Sequence, residues 1–112
     1  MLKVKDGVRL FGLIQEILWA ADRCVDVFAE LAGVDVVITS ARGDRHSRAS
    51  LHYIGAAIDI RTREMNDETI RAVISRLKQV LGKDFDVIFE GNHIHIEYQP
   101  KGANDYLTVL AA

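Results

Sequence analysis

One cysteine, one proline and no long uninterrupted apolar run leave this chain of 112 residues without the usual external supports of a small fold. Cys24 has no partner for an intramolecular disulfide, and it falls inside a helical apolar pattern, which makes it a buried structural thiol. Pro100 lies near the end and interrupts nothing upstream. After Met1–Gly7 the apolar stretch is broken by Arg9, Gln15, Glu16, Asp22 and Arg23, so it supplies neither a signal-peptide core nor a membrane span. The chain as it stands is therefore expected in the cytoplasm when synthesised, with no membrane partner. Charge of either sign is also scarce in the balance: 14 Lys and Arg face 16 Asp and Glu, a net charge of -2, which offers no basis for a nucleic-acid partner. What remains is ordinary globular composition, 49% hydrophobic and 27% charged, without repeats or low-complexity tracts. Residues 1–112 read as a single domain with room for one core.

Apolar residues recur at three and four from Val8 to Leu31 (Leu10, Leu13, Ile14, Ile17, Leu18, Ala21, Val25, Phe28), which predicts one long helix, or two meeting near Asp22, ended by Gly33. Val34–Thr39 is a β-branched run and predicts a buried strand, followed by a polar loop to His46. From Ala56 to Arg61 the pattern alternates, with Ala57, Asp59 and Arg61 on one side and Ile58 and Ile60 on the other. Asn66 is a helix cap for a second helix that runs through Val73, Ile74 and Leu77 to Gly82, with Met65 and Ile70 placed as a hydrophobic staple. Phe85–Glu90 and His93–Tyr98 flank Gly91-Asn92, a two-residue hairpin turn. The tail from Gln99 to Ala112 predicts a short packed element. The class is α+β, a small, mainly antiparallel sheet with helices packed on one face.

The hairpin turn sets the register and sorts the side chains. Glu90 should face His93, Phe89 Ile94, Ile88 His95 and Val87 Ile96, so Asp86, Ile88, Glu90, His93, His95 and Glu97 share one face, and the other face is apolar. Such a polar face is also what a solvated surface looks like. The upstream segment tips the balance, because all four histidines lie in or beside the two stretches 50–59 and 93–95. Asp59 sits between Ile58 and Ile60, where a buried carboxylate requires a partner. His52 and Asp59, joined by a histidine of the hairpin, provide the three nitrogen and carboxylate donors of a catalytic zinc site that keeps one position open. Glu90 beside them is a general base.

Ser50-x-His52-x-x-Gly55-x-Ala57-x-Asp59, followed by His93-x-His95, resembles the zinc DD-peptidase and Hedgehog-domain superfamily over about Val34 to Tyr98. Within it Ser50-Leu51-His52-Tyr53, Gly55, Ala57 and Asp59-Ile60, with His46 upstream and Phe85-Asp86 and His93-Ile94-His95 downstream, is similar to the Hedgehog signalling domain. Val37-Ile38-Thr39-Ser40-x-Arg42 resembles the strand and loop with which the peptidases present an arginine to a substrate carboxylate. The resemblance implies Zn2+ held by His52, Asp59 and His95, Glu90 as base, His93 as the neighbour that steadies water or transition state, and Arg42, His46 and Ser50 on the substrate side. The Glu90–His93 interval is shorter than in Hedgehog and closer to the Glu-x-x-His of the dipeptidases, so His93 and His95 compete for the metal. If both bound, the open position would close and the site would be structural. The acidic cluster that binds calcium in Hedgehog domains is not evident before His46, where Asp44 stands among arginines. The implied activity is hydrolysis of a peptidoglycan-derived stem peptide, as by a D-Ala-D-Ala carboxypeptidase, an endopeptidase or a phage lysis enzyme released to the cell wall. The rival is a zinc-binding protein-interaction module without catalysis.

Overall fold

The computed structural model describes residues 1–41 and 55–100. Within them the chain forms β1 (Leu2–Val4), α1 (Gln15–Leu31), β2 (Val36–Ser40), β3 (Ala57–Arg61), α2 (Asp67–Leu81), β4 (Phe85–Phe89) and β5 (His93–Tyr98). The strands make one sheet in the order β1-β2-β3-β5-β4, with β1 parallel to β2 and every other pairing antiparallel. Both helices contribute to the same core cluster as Ile38, Ile58, Ile60, Val87, Ile94 and Ile96. The α+β class and the helices on one sheet face thus follow the sequence pattern.

The first helix is shorter than its periodicity predicts. Val8–Ile14 is not helical, because the chain turns at Phe11-Gly12, where Gly12 has φ +85°, and α1 begins only after Ile14. Val8, Leu10, Leu13 and Ile14 still pack against the core from irregular backbone, which is why the apolar spacing continues past the helix start. From Gln15 to Leu31 the helix is unbroken and buries Ile17, Ala20, Ala21, Cys24, Val27 and Phe28. Cys24 is fully buried, and burial pushes its thiol up to about 12, so it packs as a small neutral apolar group. Strand β1 has no counterpart in the sequence pattern. It is three residues long and only partly covered, too short to show alternation.

Helix α2 starts where its cap predicts: the Asn66 side chain accepts a hydrogen bond from the Thr69 backbone N–H at 2.8 Å. Asp67 and Glu68 in the first turn and Lys78 in the last complement the helix dipole. The β4–β5 hairpin has the anticipated register, Ile88 opposite His95, Phe89 opposite Ile94 and Val87 opposite Ile96, with the Glu90 N–H donating to the His93 carbonyl at 2.8 Å. Ile58, Ile60, Ile94 and Ile96 are each 0% exposed, and burying each contributes ~1.5–3 kcal/mol. A slip of one residue would expose this row and drive His95 into the core, so burial locks the histidines to the outer face. Among the described residues no helix is long and apolar enough to cross a membrane. The tail element lies outside the described residues beyond Pro100.

Candidate metal centre

Strand β3 lies in the middle of the sheet, and its pairing with β5 sets the centre. Asp59 is opposite His95 and Arg61 is opposite His93, while Ile88 of β4 flanks His95 on the other side. Alternation sends Ile58 and Ile60 into the core and leaves Asp59 on the polar face, yet Asp59 is only 7% exposed. A carboxylate this dry needs cationic or hydrogen-bonding partners. His95 is one: its Nδ1 lies 2.7 Å from Asp59 Oδ1. His93 Nε2 stands 3.7 Å from the other Asp59 oxygen.

The remaining contacts give each ring an orientation. His95 Nε2 lies 2.7 Å from Glu97 Oε1, so the imidazole is gripped by a carboxylate on either side. The hydrogen bond to Asp59, against the opposing effect of burial and with further help from Glu97, pushes His95 up to about 9. His93 is turned the other way, with Nε2 3.1 Å from Glu90 Oε1 and Nδ1 2.6 Å from Asn92 Oδ1. Glu90 Oε1 is also 3.9 Å from His95 Nδ1, the atom that faces Asp59. One donor atom from each of Asp59, Glu90 and His95 can therefore be gathered within 4.8 Å of the others.

That donor set suits a small, nitrogen-accepting divalent cation. Imidazole with carboxylate is ordinary zinc chemistry, whereas calcium prefers six to eight oxygens. Glu97 fits the same picture, since histidines that bind metal through one nitrogen commonly donate the other N–H to a carboxylate. Nδ1 of His95 is thus the nitrogen turned towards Asp59 and Glu90, and Nε2 the one anchored by Glu97. His95 belongs to that gathered set, and His93 Nε2 also stands close to two of its members, 3.1 Å from Glu90 and 3.7 Å from Asp59.

Arg42, His46, Ser50 and His52 all lie outside the described residues. The described residues on either side are Ala41, next to Ser40, which pairs with Asp59, and Gly55, two residues before β3. The sequence pattern put Glu97 on the polar face without giving it a role. An i, i+2 His–Glu pair in a strand is a signal that the two share a face, but it does not show which ring nitrogen the carboxylate will meet.

A mainly antiparallel sheet with helices on one face and a histidine–carboxylate cluster on the other defines the class: an α+β fold carrying a candidate metal centre. The family model of the Hedgehog amino-terminal signalling domain matches residues 20–97, and the chain belongs to that family, within the Hedgehog/DD-peptidase superfamily. No curated protein matches the chain.

Proposed function

We propose that the chain is a zinc-dependent metallopeptidase in which His52, Asp59 and His95 hold the ion and Glu90 is the general base. The observation that carries this reading is the Glu90 carboxylate beside the buried Asp59–His95 pair, 3.9 Å from His95 Nδ1. Membership of a superfamily that includes zinc peptidases supports it as well. When bound, zinc supplies Lewis acidity for a carbonyl and makes a water easier to deprotonate. Everything else is work for the protein's own groups.

Glu90, whose side chain is 47% exposed, is open enough to exchange protons with solvent. It takes a proton from water and later delivers it to the leaving amine. His93, whose ring nitrogens lie against Asn92 and Glu90, has in this reading the role of steadying the water or the oxyanion that develops on the scissile carbonyl. Arg42 clamps a substrate carboxylate in a bidentate pair, with His46 and Ser50 beside it, by likeness to the peptidase motif. The substrate we assign is a peptidoglycan stem peptide, reached in the cell wall or as a soluble fragment. Glu97 holds His95 from behind. Glu97→Gln is expected to weaken zinc binding about 10–100-fold by competition with a chelating dye, while hydrolysis at saturating zinc stays close to wild type.

A second reading has its own support, because the matching family model describes a signalling domain. In it the zinc shapes a surface for another protein, and no bond is cleaved. One experiment separates the two. Wild-type protein should bind about one zinc, lose stem-peptide hydrolysis on chelation and regain it with added zinc. Stoichiometric zinc with no hydrolysis across a broad peptide panel would leave the binding module standing. A chain that takes up no zinc at all would refute both.

A further inference from the structure

Beside the candidate metal centre lies a cleft of about 450 Å³ lined by Lys5, Thr39, Arg61, Arg63, Asn92 and His93. Its position follows from the sheet. Arg61 is two residues beyond Asp59 on β3, so it occupies the same face, and it pairs directly with His93 of β5. Lys5 follows β1 and is held at the other side by its backbone N–H, which donates to the Ile38 carbonyl at 2.9 Å. His93 is the shared wall: its Nε2 faces Glu90 and Asp59, and its ring also borders the cleft.

The charge in this cleft is unbalanced. Lys3, Arg23 and Arg76 each have a carboxylate partner, at 2.9, 3.6 and 3.3 Å. Among the described residues Lys5, Arg61 and Arg63 form no ion pair. Arg61 also borders a small cavity beside Asp35, but Asp35 is already taken by Lys3 at 2.9 Å and by the N-terminal ammonium at 3.3 Å. In a chain with more acidic than basic groups, three unpartnered cations around one concave space concentrate positive potential where a ligand can enter. Guanidinium groups offer the donors that a carboxylate or phosphate accepts, whereas the Thr39 hydroxyl already donates to the Asp59 carbonyl at 3.5 Å.

We propose that the Lys5–Arg61–Arg63 cleft is an oxyanion subsite, separate from the metal-binding cluster, that seats an anionic group of the ligand on the far side of His93. Two residues along a strand span about 7 Å, so the anion binds roughly two residues' length from a group engaged at Asp59. The ligand class is therefore one carrying a carboxylate or phosphate about two extended residues away from the point of metal contact. Anion capture here requires neither hydrolysis nor a bound metal.

The test is a titration of ¹⁵N-labelled protein, zinc-supplemented and chelator-treated, with inorganic phosphate and with succinate at constant ionic strength. Resonances of Lys5, Arg61, Arg63 and Asn92 should shift in both metal states. The double variant Arg61→Gln/Arg63→Gln should bind at least tenfold more weakly while its zinc content stays at the wild-type level. Arg61→Lys/Arg63→Lys should recover part of the binding. Response to phosphate alone assigns a phosphate-bearing ligand, and response to succinate assigns a carboxylate. Unchanged binding in the glutamine variant, or no shift at these residues with either anion, overturns the subsite. Loss of the metallopeptidase reading would leave that result untouched, since the shifts are read without zinc as well.

Discussion

Asp59→Asn is expected to fold and to lose its metal. Asparagine has the size of aspartate and can still meet His95, so the local packing at a residue 7% exposed is kept. What disappears is the buried negative charge. In the metal-free chain a protonated His95 partly balances that charge; under the proposed function a bound cation would do so. Removing a direct carboxylate donor should cost more than removing an outer partner, hence more than about 100-fold in zinc affinity, and stem-peptide hydrolysis should vanish with it. Glu90→Gln gives the contrasting result under the proposed mechanism: zinc stays, but proton transfer is lost, with hydrolysis down about 10²–10⁴-fold. The pair of variants tells base from ligand. Should Glu90→Gln release the metal as Asp59→Asn does, the Asp59–Glu90–His95 gathering is the coordination set itself, and Glu90 is no base. Metal analysis of the purified variants beside the wild type reads both outcomes directly.

The reason the hairpin half of this site could be read from sequence is geometric. A two-residue turn at Gly91-Asn92 leaves a single register, and period-two alternation then assigns every side chain from Phe85 to Tyr98 to a face. Asp59 was legible for a related reason, since isoleucines on both sides of it demand a central strand and a partnered carboxylate. Longer-range relations were not. Apolar spacing suggested helix from Val8, although a turn at Phe11-Gly12 intervenes, because packing against a core needs apolar side chains whatever the backbone does. Arg61 was placed beside Asp59, but its facing of Lys5 depends on β1, a strand too short to leave a pattern. The ring orientations of His93 and His95 are set by Asp59, Glu97 and Asn92 through contacts that no spacing rule encodes.

Gly55→Ala is expected to be among the most damaging single changes in the protein, although Gly55 carries no chemistry. Its φ of +79° is one that side chains disfavour, and its carbonyl accepts a hydrogen bond from the N–H of Ile14, the residue that precedes α1, at 3.1 Å. A Cβ there would drive into the Gly12 carbonyl oxygen and come within 3.1 Å of the Gly12 carbonyl carbon, both backbone atoms with no side-chain freedom to yield. The backbone conformation alone costs ~1–3 kcal/mol. With the collision added, a loss of about 3–5 kcal/mol is expected, a drop in Tm on the order of 15 °C. Gly82→Ala is the control, because Gly82 has φ +84° and nothing within 4 Å of an added Cβ. It should show the conformational cost alone, and the difference between the two melting curves isolates the clash. Equal destabilisation would mean that the approach to Gly12 is not what demands glycine at position 55. The expected inequality has a functional edge: Gly55 leads into β3, so the backbone that must move to admit the methyl group is the one that carries Asp59 to His95. Gly55→Ala should therefore lower zinc affinity even at temperatures where the variant remains folded, whereas Gly82→Ala, at the end of α2, should bind zinc as wild type does.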